Sequence, residues 1–80
     1  MPVVFRAAGS RFHFFSNEGD PREPIHIHAR RGDAEAKIWL LPTVEIADSY
    51  GYTRREQTEL IRLVVERREE IMEAWYDHFG

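Results

Sequence analysis

His26-Ile27-His28 sets two imidazoles two residues apart. On a strand such residues project from the same side, with Cβ atoms about 6.5–7 Å apart. That spacing suits two kinds of chemistry. The rings can converge on one metal ion, or one can act as base and the other as acid across a phosphodiester. A zinc site built on His26 and His28 needs at least a third ligand. His13 is the natural candidate, with Glu35 or Glu18 as oxygen donors. The chain has no cysteine and no His-Glu-x-x-His helix, so zinc is the one cofactor considered and the default expectation is none. Metal-free ribonuclease chemistry would use His26 and His28 as acid and base. Lys37, Arg30 or Arg11 would then stabilise negative charge developing at phosphorus. The candidate catalytic residues are therefore His26, His28 and Lys37. Against both stands a plainer reading, in which two strand histidines contact a partner or simply meet water.

The element that must hold these residues spans 24–41. It reads as a hairpin of two alternating strands with a turn at Arg31-Gly32-Asp33. Ile25, Ile27 and Ala29 fall on one face, and His26, His28 and Arg30 on the other. In the second strand Ala36, Ile38 and Leu40 join the apolar face, leaving Glu35, Lys37 and Trp39 beside the histidines. Such a sheet must cover its apolar face and can use the polar one. Arg11, His13, Glu23, Arg30, Glu35 and Trp39 make up the expected binding face. An uncovered tryptophan there suggests either a partner surface or a loop folded over the ring.

Upstream, Val3-Val4-Phe5 is a short strand ended by a turn at Ala7-Ala8-Gly9-Ser10. Arg11-Phe12-His13-Phe14-Phe15 follows, with Phe12 and Phe14 toward the core and His13 on the histidine face. The plainer reading of His13 is a half-exposed residue covering Phe15. Residues 16–23 carry Asn, Gly, Asp and Pro in close order and read as a long loop. Downstream, Leu41-Pro42 closes the hairpin. Residues 43–50 alternate poorly and fit a short edge strand or an extended crossing, with a single helical turn as the competitor.

At Thr53 the period changes. Thr53-Arg54-Arg55-Glu56 is a capping box, and Leu60, Val64, Ile71, Trp75 and Phe79 recur at helical spacing. One helix over 53–78 would run about 40 Å, more than a small sheet can cover. Its end overhangs, or it bends near Glu66–Arg68, where the apolar stripe is thinnest. Leu63 and Trp75 are the expected anchors, each worth roughly 3–5 kcal/mol against alanine if buried. His78 is expected to interact with the helix dipole. The fold class is α+β: an antiparallel sheet of three to five strands, about 3–47, with one long C-terminal helix on one face, all in a single domain over 1–80.

Eighty residues suit one core, burying roughly 60–65% of the unfolded chain's surface. No signal peptide or apolar run of membrane-spanning length is present, so a cytoplasmic, membrane-free protein is expected. The net charge of −3 argues against a general nucleic-acid binder. The charge is unevenly distributed, however. Residues 1–41 carry six basic and five acidic side chains, and the remainder five and nine. RNA or DNA binding by the strand half thus stays open, and would weaken steeply with salt.

Several pieces together resemble a known family. Phe14-Phe15-Ser16-Asn17-Glu18, Arg22-Glu23-Pro24-Ile25-His26-Ile27-His28 and Gly32-Asp33-Ala34-Glu35-Ala36-Lys37-Ile38-Trp39-Leu40 are similar to the small bacterial family catalogued as domain of unknown function 4160. Gly51-Tyr52-Thr53 and Glu73-Ala74-Trp75-Tyr76-Asp77-His78-Phe79-Gly80 fit the same pattern; Ala29 departs from it, where a β-branched residue is usual. The resemblance covers essentially the whole chain. It implies a protein encoded beside another small protein in an arrangement like a toxin–antitoxin pair, and it implies no particular activity. It also implies that Glu23, His26, His28, Glu35, Lys37 and Trp39 belong to a shared functional or structural core. The leading expectation is a cytoplasmic protein–protein interaction module, part of a toxin–antitoxin-like pair, whose partner is a genetically neighbouring small protein or a second copy. The rivals are a ribonuclease or metal-dependent hydrolase, and a nucleic-acid-binding module.

Overall fold

Two tight turns arrange the strand-forming segments. In the computed structural model, which describes residues 3–15 and 23–80, these segments are β1 (Val3–Ala7), β2 (Ser10–His13), β3 (His26–Arg31), β4 (Ala34–Trp39) and β5 (Glu45–Tyr50). They form one antiparallel sheet in chain order. Ala8 and Gly9, with φ of 50° and 79°, join β1 to β2, and Ala7 lies opposite Ser10. Two consecutive positive φ values give a turn whose twist matches the strands. Gly32, at φ 58°, opens the equivalent turn between Arg31 and Ala34. In a meander both turns lie at the same end of the sheet.

The apolar face follows the alternation. Phe12 pairs with Ala29, Ala29 with Ala36, and Ile27 with Ile38, and all are buried. Phe5 stacks on Phe12 with ring centroids 4.3 Å apart. The small side chains in the middle of this row leave room for a helix to approach closely. Leu60, Leu63 and Val64 fill that space together with Ile71 and Trp75.

The helical part corrects one expectation. There is no single long helix but two, α1 (Arg54–Glu66) and α2 (Arg68–Phe79), meeting at Arg67. Arg67 has φ −110° and ψ 18°, and its N–H is shared between the carbonyls of Leu63 and Val64, at 3.2 Å each. Neither proline nor glycine marks the break. The Arg67 guanidinium lies 4.4 Å from the centre of the Phe5 ring, so the change of direction occurs where the helix layer crosses β1. It keeps α2 on the core: Trp75 is 1% exposed and meets Phe14 edge-on at 5.4 Å. The molecule measures 33 × 23 × 19 Å, so no 40 Å helix overhangs.

Thr53 begins α1 as expected. Its hydroxyl accepts from the Glu56 N–H at 3.1 Å, and its own N–H donates to the Glu56 carboxylate at 2.8 Å. Ahead of it, Gly51 at φ 82° passes directly over Ala34. Tyr52 then locks the crossover to the first hairpin through a 2.9 Å hydrogen bond between its hydroxyl and that of Ser10. Among the described residues no helix is long and apolar enough to cross a membrane.

Candidate functional site

The sheet face away from the helices is organised in cross-strand rows. In one row His13, His28, Lys37 and Asp48 follow one another across β2, β3, β4 and β5. In the next, Arg6, Arg11, Arg30, Glu35 and Tyr50 do the same from β1 to β5. Directly opposed residues have Cβ atoms about 4.5–5.5 Å apart, so each row is a strip of touching polar side chains.

The first row is more enclosed than an open polar face. His13 is only 2% exposed and lies nearly parallel to His28, with ring centroids 5.7 Å apart. Phe15 packs edge-on against both rings, at 5.0 and 4.5 Å. His28 and Lys37 then border a hollow of about 240 Å³ whose other walls include His13, Phe15, Asp48 and Tyr50. Tyr50 is 74% exposed and forms its outer lip.

His26 is set apart from this hollow. It is fully buried, within 5.4 Å of Trp39 and 5.2 Å of Trp75. Its Nδ1 is 2.8 Å from the Pro24 carbonyl oxygen. A carbonyl only accepts, so Nδ1 carries the proton and the tautomer is fixed. His26 and His28 do approach, at 5.2 Å between ring centroids with nearly perpendicular planes. Among the described residues, however, no three His, Cys, Asp or Glu side chains are gathered so as to hold a metal ion. The expected oxygen donor Glu18 and most of the loop expected over Trp39 lie outside the described residues.

Lys37 is held by both its neighbours. Its ammonium donates to Glu23 at 2.9 Å and lies 4.5 Å from the centre of the Trp39 indole. Trp39 is half-buried, shielded by that ammonium and by the edge of His26. Arg30 pairs with Glu35 and also donates to the Gly32 carbonyl at 3.1 Å. Of the proposed acid–base set, His28 and Lys37 meet at the hollow, and His26 lies outside it.

Asp48, Tyr50 and Phe15 line the hollow without having been singled out by sequence. The poor alternation over 43–50 was the available signal. Ile46 pairs with Ile38 and Asp48 with Lys37, leaving Ala47 as an extra residue. That bulge moves Asp48 and Tyr50 onto the histidine face although Ile46 points to the core side. Arg6 was also missed, because nothing in Val3-Val4-Phe5-Arg6 marks its partner across the turn.

No curated protein and no solved structure matches this chain. A family pattern does match, over residues 9–76. That span includes the His-x-His strand, the hollow and both helices down to Tyr76, and by it the chain belongs to the family described as Domain of unknown function (DUF4160).

Proposed function

We propose that this protein is a cytoplasmic interaction module of a toxin–antitoxin-like pair, and that it engages a small partner protein through the histidine face of its sheet. The observation that supports this reading is the hollow beside Tyr50. It presents aromatic walls (Phe15, Tyr50) next to a cation (Lys37) and an imidazole (His28), with an exposed tyrosine at its mouth. Aromatic side chains at the edge of a pocket are the usual anchors of a protein interface. An apolar side chain of the partner would fill the hollow. Docking by strand addition at β5 is less favourable, because the Ala47 bulge and the charges of Glu45 and Asp48 protect that edge.

Co-purification with the genetically neighbouring protein tests the reading. Wild-type protein should elute with that protein as a complex, and Tyr50→Glu should elute alone while keeping its melting temperature. A wild-type protein that stays monomeric beside its neighbour would overturn it.

A second reading has one specific support. His28 and Lys37 are directly opposed at the hollow, an acid–base group beside a fixed cation, as ribonuclease chemistry requires. RNA cleavage or growth arrest that persists unchanged in the His28→Ala variant would remove it.

A further inference from the structure

At the turn end of the sheet, charge is arranged in a way that the partner-binding reading does not use. Arg6, Arg11 and Arg30 stand directly opposite one another on β1, β2 and β3. Like charges so placed repel. Among the described residues the conflict is relieved at one of the three, since Arg30 pairs with Glu35. Among the described residues no carboxylate pairs with Arg6 or Arg11, and the Arg11 Nε is buried without a hydrogen-bond partner. A buried guanidinium nitrogen in that condition is costly unless a ligand completes it.

The surroundings form a receptacle. A hollow of about 340 Å³ is lined by Arg6, Arg11, Arg30 and Arg31 together with the turn glycines Gly9 and Gly32. Arg31 comes from the helix side, where it is held by Glu56 at 2.6 Å. Four guanidinium groups against the two carboxylates Glu35 and Glu56 leave two positive charges at the site. Gly32 has open space where a side chain would stand.

From this arrangement we propose that the turn end of the sheet is a phosphate-binding site, with Arg11 and Arg6 as its principal ligands and Arg30 and Arg31 as its flanks. Guanidinium forks converging from three strands offer donors from several directions, which a tetrahedral dianion can accept at once. A single carboxylate would engage one fork and leave the others repelling. The phosphate can belong to a small phosphomonoester or to an RNA strand. The site adjoins the Tyr50 hollow at Glu35 but takes its ligands from different residues, Arg6 and Arg11, so this proposal does not depend on the partner-binding reading.

The test is NMR titration of full-length protein in low-salt buffer with inorganic phosphate. Arginine Nε–Hε signals and the Gly9 and Gly32 amides are followed, with chloride at matched ionic strength as control. Saturable shifts of Arg11 and Gly32 are expected with phosphate and not with chloride. Arg11→Gln should weaken binding about tenfold, the effect of losing one charge-assisted contact, and Arg11→Lys should retain an intermediate affinity. Arg6 is exposed, so Arg6→Gln supplies the same test should Arg11→Gln fail to fold. Two further arms identify the source. A nucleoside monophosphate binding at least as tightly as phosphate points to a small ester. Tighter binding of a short RNA without terminal phosphate points to the strand backbone. Non-saturable shifts, equal shifts with chloride, unchanged affinity in the folded arginine variants, or displacement of phosphate by an acidic peptide would each overturn the proposal.

Discussion

His13 and His28 face each other across β2 and β3, their rings 5.7 Å apart and 24° from parallel. Phe15 touches both, so the three rings form one packed unit at the wall of the hollow. The two histidines should therefore be energetically coupled. In a double-mutant cycle, His13→Ala, His28→Ala and the pair measured by urea unfolding should show a coupling of about 0.5–1.5 kcal/mol, the range for contacting aromatic rings. Additive single losses would show that the rings are neighbours without being partners.

The two histidines of the His-x-His strand should separate by phenotype. His26 is enclosed by Trp39 and Trp75 and donates to the Pro24 carbonyl. His26→Ala should cost about 2–4 kcal/mol through the lost packing and the unpaired carbonyl. His28 is only half-buried and borders the hollow. Its alanine variant should lose less stability and more partner binding. Thermal melts of both, beside a co-purification assay, check this; an equal stability loss in the two would contradict it.

Much of this was legible in sequence, and the misses have physical causes. Alternation in 24–41 gives both faces of β3 and β4, and Thr53 with Glu56 gives the helix start, because each is a local rule with a local cause. The break at Arg67 falls where the thin apolar stripe over Glu66–Arg68 allows a bend. That signal alone does not choose between a bend and one overhanging helix, because no breaker residue records it and Arg67 meets Phe5 only in the folded chain. Asp48 and Tyr50 were hidden by one extra residue, Ala47, which shifts the period of β5. The enclosure of His26 depends on Trp75, a residue 49 positions away, brought near only by the packing of α2. Spacing reports which side a side chain leaves from, and says nothing of what comes to cover it.

Gly51 should tolerate no side chain. Its φ of 82° is unfavourable for any L residue with a Cβ. An added Cβ would also lie 3.0 Å from the Ala34 Cα and 3.1 Å from its Cβ. Neither atom belongs to a flexible chain end that could yield. Gly51→Ala should destabilise the fold by roughly 2–4 kcal/mol, combining conformational strain with overpacking. Gly32→Ala has the positive φ but open space around it, and should cost only the conformational part. Urea midpoints of the two variants compared with wild type decide this, and equal losses would show that the Ala34 contact relaxes freely.

Glu56 should give the protein an acid-sensitive increment of stability. The Thr53 backbone N–H, and after it the Arg31 guanidinium, hold its carboxyl below the usual glutamate range. A group whose pKa is lower folded than unfolded stabilises the fold above its unfolded pKa, about 4.3 for glutamate, and that contribution fades as pH falls through the folded value. Glu56→Gln lacks the charge at every pH. The gap between wild-type and Glu56→Gln urea midpoints should thus be full and constant from pH 7 down to about pH 5. It should narrow steadily below that and close once the wild-type carboxyl is protonated. Arg31→Gln in the wild-type background should shrink the gap and move the pH at which it closes upward, because the second cause of the depression is gone while the unfolded pKa is unchanged. A gap that is independent of pH would mean that the capping contact acts through shape alone, with the charge on Glu56 contributing nothing.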